Sequence, residues 1–276
     1  MRVAAVDTGT NSTRLLVADV DGDHVETVVR RATVTRLGEG VDANRRLAPA
    51  AVERTHVVLA DYAAEIEALG AERTLAVGTS ALRDAADGRD FLGELETRYG
   101  WETRLLSGEE EGELTRRGVG AVDEQTLVLD VGGGSTELMA GAFRQSLDVG
   151  SVRLTERFLC SDPPQSGELE AAAEYARGLL PDLSVDAAIG VAGTVAQLHE
   201  LAGELTLAGV ESELVRFAAL PLAERRNVPG LDPERARVIV AGAVIVREVL
   251  RRYGLERLEF SERDLLDGIV LEAALV

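Results

Sequence analysis

Asp7-Thr-Gly-Thr-Asn-Ser-Thr13 is echoed in the middle of the chain by Asp130-Val-Gly-Gly-Gly-Ser-Thr136. Each copy follows a short apolar run, Val3 to Val6 and Thr126 to Leu129, that reads as a buried strand ending on the aspartate. Each is followed by another apolar run, Leu15 to Ala18 and Glu137 to Ala140, then by a turn and a third strand, Val25 to Val34 or one from Ser146. A second feature also recurs in the same order. Leu75-Ala-Val-Gly78-Thr79 and Ala187-Ala-Ile-Gly-Val-Ala-Gly193-Thr194 are each a strand and turn that feed a helix. One such match is within chance; two in the same order indicate duplicated lobes.

Working outward, the pattern predicts a helix from Pro49 to about Ala68, a strand over Thr74 to Val77, a helix from Ala81 to Tyr99 and a strand over Glu102 to Leu106. A last long helix is expected from Asp232 to Arg252, with Asp232 as its cap and Pro233 in its first turn. Alternation of strands and helices makes the chain α/β. The expected division is an N-terminal lobe of residues 1–120 and a C-terminal lobe of residues 121–276.

Composition narrows the class of protein. With 46% hydrophobic residues but only 4% aromatic ones, the core has to be aliphatic. No apolar run is long enough to span a bilayer, and Asp7 interrupts the stretch a secretory signal would need. A single cysteine, Cys160, excludes an intrachain disulfide. These features lead to the expectation of a soluble cytoplasmic protein. The formal charge of −19 argues against nucleic-acid partners and anionic membranes. It leaves room for an anionic substrate, because backbone N–H groups, a few arginines and a divalent metal can make one site locally positive. The chain contains no lysine. That excludes a Walker A lysine and leaves arginine as the side-chain clamp for phosphate.

A loop rich in Gly and Ser lets the backbone approach an anion and aim several N–H groups at it. An Asp at the strand end can hold a metal directly or through water. Taken singly, each loop is as readily a plain tight turn; the pair together predicts a clamp for a phosphate chain. Asp7-Thr-Gly9 also matches half of an aspartic-protease dyad, but the second loop is Asp-Val-Gly-Gly and the surrounding helices do not suit an all-β protease. Ser107-Gly-Glu-Glu-Glu111 carries a capping box, Ser-x-x-Glu, that accounts for Glu110. Glu111 instead falls on the inward stripe of that helix, where a carboxylate could activate a water, although a solvated charge is the default for a glutamate. Arg83, in Gly78-Thr-Ser-Ala-Leu-Arg83, stands at a helix start and fits either phosphate oxygens or a surface ion pair. Arg14 and Arg153 are weaker candidates of the same kind. The histidines show no metal-ligand spacing.

Together these segments resemble the exopolyphosphatase/guanosine pentaphosphate phosphohydrolase family, within the wider superfamily of actin, sugar kinases and heat-shock ATPases. The resemblance runs through Ala5 to Ser12, Gly78 to Arg83, Ser107 to Glu111, Leu129 to Leu138, Gly150-Ser-Val-Arg-Leu154, Gly190 to Thr194, Pro229 to Arg235 and Leu265-Leu-Asp-Gly268. It implies two ribonuclease-H-like lobes with mixed sheets flanked by helices, an active site in the cleft between them, and a homodimer. It also implies hydrolysis of a terminal phosphoanhydride with Mg²⁺ (or Mn²⁺). By the same resemblance Glu111 is the catalytic base, and Asp130 and Glu137 position metal and water, with Asp7 completing the metal set. Phosphate binding passes to Asn11, Ser12, Arg83, Gly132, Gly133, Gly134 and Ser135. Gly112 and Glu113 depart from the family, where an Ala and often a basic residue follow the catalytic Glu.

The expected substrate is inorganic polyphosphate, with guanosine pentaphosphate as the alternative. The missing extra helical domains of longer relatives and the charge of −19 favour short chains. Two rivals remain at this stage: an ATP-dependent kinase of the same fold, and a polyphosphate or nucleotide sensor without turnover.

Overall fold

A computed structural model describes residues 1–275. The chain forms two units, one built from Met1–Ala121 and Arg263–Val276, the other from Val122–Glu262.

In the first unit β1 (Arg2–Thr8), β2 (Ser12–Asp21) and β3 (His24–Val34) form an antiparallel meander. The short α1 (Val41–Asn44) and the long α2 (Pro49–Leu69) lead to β4 (Arg73–Gly78), which pairs parallel with β1. Next come α3 (Ser80–Asp84), α4 (Gly88–Tyr99), β5 (Glu102–Leu105) and α5 (Gly108–Val119), giving the sheet order β3-β2-β1-β4-β5. Strand alternation divides the core between the two faces of the sheet. Ala4, Val6, Leu15 and Val17 pack with Leu59, Ile66, Leu92 and Leu95 from α2 and α4. Val3, Ala5, Leu16 and Ala18 pack on the other face, with Leu114 of α5 and with Leu265, Leu266, Ile269 and Val270.

The second unit repeats the plan. β6 (Thr126–Val131), β7 (Thr136–Ala140) and β8 (Phe143–Leu147) form the meander, followed by α6 (Ser151–Phe158) and α7 (Ser166–Leu179). β9 (Ala187–Val191) pairs parallel with β6 and runs into α8 (Ala192–Ala202). Then follow β10 (Leu205–Thr206), α9 (Leu207–Ala218), α10 (Leu222–Arg225), α11 (Ile239–Tyr253) and β11 (Arg257–Phe260), with sheet order β10-β11-β9-β6-β7-β8. The core is aliphatic as composition requires, with Phe217 the one aromatic among its largest fully buried side chains.

Several expectations change. The chain does not end in the second unit, because α12 (Leu265–Ala273) belongs to the first and packs on α5, β1 and β2. Its face of Leu265, Leu266, Ile269 and Val270 covers apolar sheet that α5 alone leaves open. The first unit thus runs to Ala121, and the chain returns to it from Arg263. The Asp232 to Arg252 helix begins only at Ile239, since residues 232–238 close successive tight turns, Arg235 N–H to Asp232 O and Val238 N–H to Arg235 O. The Ala81 to Tyr99 helix is two helices, parted where Ala85 turns extended and Gly88 crosses against the Leu82 carbonyl, leaving no room for a Cβ. The duplicated turn is also offset by one residue. Asp7 pairs with Val77 and Asp130 with Val191, so Gly78 corresponds to Ala192, which adopts φ 65° without being a glycine. Among the described residues, no helix is long and apolar enough to cross a membrane.

Candidate active site

The two loops share one backbone design. Gly9 N–H donates to Ser12 O at 3.1 Å, and Gly132 N–H donates to Ser135 O at 3.1 Å. Both close a hairpin whose last strand residue before the loop faces a Thr, Thr8 opposite Thr13 and Val131 opposite Thr136. One pair further back, Asp7 stands opposite Arg14, and Asp130 stands opposite Glu137. Cross-strand partners project to the same face. The duplication thus places one acidic pair in the second unit and one acid–base pair in the first.

In the second unit the glycine loop is held from behind by the start of α6. Ser151 N–H donates to Gly132 O at 2.9 Å, and the N–H groups of Val152 and Arg153 donate to Gly133 O at 2.8 and 3.1 Å. Arg153, buried on α6, donates Nε to Gly134 O at 2.6 Å. The opening N–H groups of a helix have no partner within it, and here loop carbonyls take them. Engaging three successive carbonyls on one side constrains the peptide planes of a loop whose backbone can serve an anion. The approach is so close that a Cβ on Gly150 would lie 2.4 Å from the Gly133 carbonyl. Arg153 therefore braces the loop backbone, which the sequence pattern did not distinguish from direct phosphate contact. Asp130 and Glu137 are both buried, and Ser146 Oγ donates to Glu137 Oε1 at 2.7 Å.

In the first unit the structure gathers Asp7, Arg14, Arg83, Glu111 and Asp264. The capping box forms as the sequence predicts: Ser107 N–H donates to Glu110 Oε2 at 2.7 Å, and Glu110 N–H donates to Ser107 Oγ at 3.2 Å. That fixes the first turn of α5 and leaves the next residue, Glu111, pointing inward with 7% of its surface exposed. Arg83 Nη1 donates to Glu111 Oε2 at 2.6 Å and to Leu106 O at 3.1 Å. Arg83 is thus an ion pair, but a largely buried one, with the carboxylate singled out from spacing. Burial pushes the Glu111 carboxyl above its ordinary range; the Arg83 guanidinium opposes this, and the like charge of Asp7 adds to it.

Asp7 is buried too. Its Oδ2 accepts from Arg14 Nε at 2.8 Å and pairs with Arg14 Nη2 at 2.8 Å. Burial raises its pKa against the pull of Arg14. Its Oδ1 is buried without a hydrogen-bond partner, as are both amide atoms of Asn11 and the Ser12 hydroxyl. Four such atoms in one hairpin are a departure from the general rule that buried polar groups are satisfied. The Asn11 carbonyl, by contrast, accepts from the N–H groups of Thr35 and Arg36 at 3.1 and 2.9 Å, so the backbone here is anchored while the side chain is not.

No group of three or more His, Cys, Asp or Glu side chains among the described residues is arranged to hold a metal ion. Mg²⁺ does not need one, since it is commonly held by one or two carboxylates together with phosphate oxygens and waters. The lone Oδ1 of Asp7 in the first unit and the pair Asp130–Glu137 in the second each fit that pattern on their own. Spacing underrated Arg14 and missed Asp264. Both carried a signal: Arg14 sits across the hairpin from Asp7, and Asp264-Leu-Leu-Asp267 has the spacing of a capping box, which the structure forms.

The Ppx/GppA phosphatase family matches residues 16–276 of this chain. The chain belongs to that family. As a Ppx/GppA phosphatase it is an enzyme that hydrolyses phosphoanhydrides. It is 37% identical to exopolyphosphatase 2 of Mycobacterium tuberculosis, over 99% of this chain and 98% of that protein. An exopolyphosphatase-like protein of known structure is 31% identical, with a TM-score of 0.88 over the full length of both chains. The Aquifex aeolicus member of the Ppx/GppA family is 28% identical, with a TM-score of 0.79 over 100% of this chain and 98% of that one. These likenesses extend through both units, so the duplicated architecture is that of the Ppx/GppA fold.

Proposed function

We propose that the protein releases terminal phosphate from short-chain inorganic polyphosphate, with Glu111 as the general base. One observation carries the reading: the buried, unpartnered atoms of Asp7, Asn11 and Ser12 form a polar site that an oxyanion and its hydrated cation would satisfy. The name of the M. tuberculosis relative supports polyphosphate as the substrate class.

In this reading each loop binds phosphate oxygens in its own unit, Asn11 and Ser12 in the first and Gly132, Gly133, Gly134 and Ser135 in the second. Mg²⁺ (or Mn²⁺) would be held by Asp7 in the first unit and by Asp130 and Glu137 in the second, and would neutralise phosphate charge there. Arg83 has two tasks. It fixes Glu111 by binding Oε2, which leaves Oε1 to take a proton, and a guanidinium beside that carboxylate suits a phosphate oxygen. The carboxyl raised by burial is a stronger base than a solvated glutamate once ionised. A water gives its proton to Glu111 as its oxygen bonds to the terminal phosphorus. The bridging P–O bond breaks, and the chain shortened by one unit leaves with the electron pair. The charge of −19 disfavours a long polyanion and supports the preference for short ones.

The test is phosphate release with Mg²⁺, measured side by side on short polyphosphate, long polyphosphate, guanosine pentaphosphate and ATP. Highest kcat/KM on short polyphosphate is expected. Highest kcat/KM on guanosine pentaphosphate would replace the substrate and keep the mechanism, and no release from any of the four would overturn the reading.

A further inference from the structure

Arg14 occupies in the first unit the cross-strand position that Glu137 occupies in the second. It turns the Asp7 carboxylate so that Oδ2 is occupied and Oδ1 is not. An arginine side chain has many rotamers to lose, so a single carboxylate partner leaves its pose loosely defined. Here the pose has a second anchor. Arg14 Nη1 donates to Asp264 Oδ2 at 2.5 Å.

Asp264 is itself fixed from three directions. It caps α12, its Oδ1 accepting from Leu266 N–H at 2.9 Å. The same Oδ1 accepts from Arg30 Nη1 at 3.3 Å. Its own N–H donates to Asp267 Oδ2 at 2.9 Å, and Arg30 Nη2 holds that oxygen as well at 2.6 Å. All of these residues are in the first unit, and Asp264 is only 6% exposed. The helix cap needs only one oxygen of Asp264; the other is committed to Arg14.

We propose that Asp264 is a positioning residue for hydrolysis: it locks Arg14 in the pose that presents Asp7 Oδ1. The inference rests on the proposed role of Asp7. It concerns the opposite end of the chain from the loop it serves, and makes the return of α12 to the first unit a requirement of the site as well as of the core. Asp264 acts through Arg14 and does not touch the reacting atoms.

A double-mutant cycle on Asp264→Asn and Arg14→Met separates this from a purely structural cap. Asn caps a helix about as well as Asp, so the Leu266 bond is retained while the ion pair to Arg14 is lost. With short polyphosphate, D264N is expected to lower kcat about ten- to hundredfold, the scale of a small misplacement of a catalytic group, and to change KM less than about threefold. In the R14M background the same change should lower kcat less than about threefold, because the route is already cut. Equal losses in both backgrounds, or a kcat that falls only in step with the folded fraction seen by thermal melting, would overturn the inference. If D264N does not fold, Asp264→Ser also caps and enters the same cycle. The E111Q variant keeps the two readings apart. Full phosphate release by E111Q defeats the proposed function, whereas an inactive E111Q beside wild-type kcat in D264N defeats only this inference.

Discussion

Two helical glycines should respond to alanine in opposite directions. Gly268 of α12 meets α5 so closely that a Cβ would lie 1.9 Å from the Leu114 carbonyl oxygen and 2.6 Å from its carbon. Gly118 of α5 is the reciprocal contact, 1.9 Å from the Asp264 carbonyl oxygen. Gly93, inside α4, has nothing within 4 Å of its added Cβ. On propensity alone, Gly→Ala within a helix stabilises by about 1 kcal/mol. Gly93→Ala should realise that gain. For Gly268→Ala the clash decides the sign, because the obstacle is backbone and no rotamer can relieve it. Restoring ordinary contact requires the helices to part by about 1.5 Å, and a gap of 0.5–1 Å already forfeits a quarter to a half of the dispersion well. Overpacking costs roughly 1–3 kcal/mol, occasionally more. A contact this short lies at the upper end, so the net loss should be about 2 kcal/mol after the propensity gain. At roughly 2–4 °C per kcal/mol, G268A should melt about 4–8 °C below wild type and G93A a few degrees above it. Thermal melts followed by circular dichroism at fixed pH measure both. A G268A protein as stable as wild type would refute the close crossing, and with it the path by which α12 brings Asp264 to Arg14.

Glu111→Gln mimics the protonated acid. The folded pKa of Glu111 is raised by burial, so the stability tied to its protonation is fully present below the ordinary value and is lost as pH rises through the folded one. E111Q should therefore gain in melting temperature over wild type as pH is taken from 5 to 8; a gain that shrinks over that range would mean that the Arg83 ion pair outweighs the cost of burial. Arg153→Met removes the donor from the Gly134 carbonyl, leaving a buried acceptor unsatisfied at about 1–3 kcal/mol. Steady-state kinetics on short polyphosphate should show kcat/KM lower by about tenfold or more, and an unchanged value would show that the α6 amides hold the loop without help.

Much of the architecture was legible because the duplication is written twice. The hairpin closure, the aspartate at each strand end and the parallel strand that follows are local patterns, and the unbroken apolar runs Val3 to Val6 and Leu15 to Ala18 mark a sheet covered on both faces. The inward placement of Glu111 was legible as well, because it shares a helix stripe with Leu114 and Gly118, which are buried with it. The return of α12 was not. Leu265, Leu266, Ile269 and Val270 announce an apolar helix face, but nothing local says which sheet that face covers. Asp264 was missed for the same reason: its partners Arg14 and Arg30 lie 250 and 234 residues away, and ion pairs at that separation leave no periodic trace. The one-residue offset between Gly78 and Gly193 escaped because the pattern matched glycines, whereas the structural counterpart of Gly78 is Ala192, an alanine in the left-handed region.

The most direct test of the central claim is phosphate release from short polyphosphate by E111Q beside wild type, with substrate binding measured on the same samples. Glutamine preserves the shape of the side chain and an oxygen for Arg83 but accepts no proton from water. Release should fall by about 10²–10⁴-fold, the usual contribution of a general base, while binding of the unhydrolysed chain stays within a few-fold of wild type. E111Q turning over at the wild-type rate would contradict the assignment of Glu111 as the base.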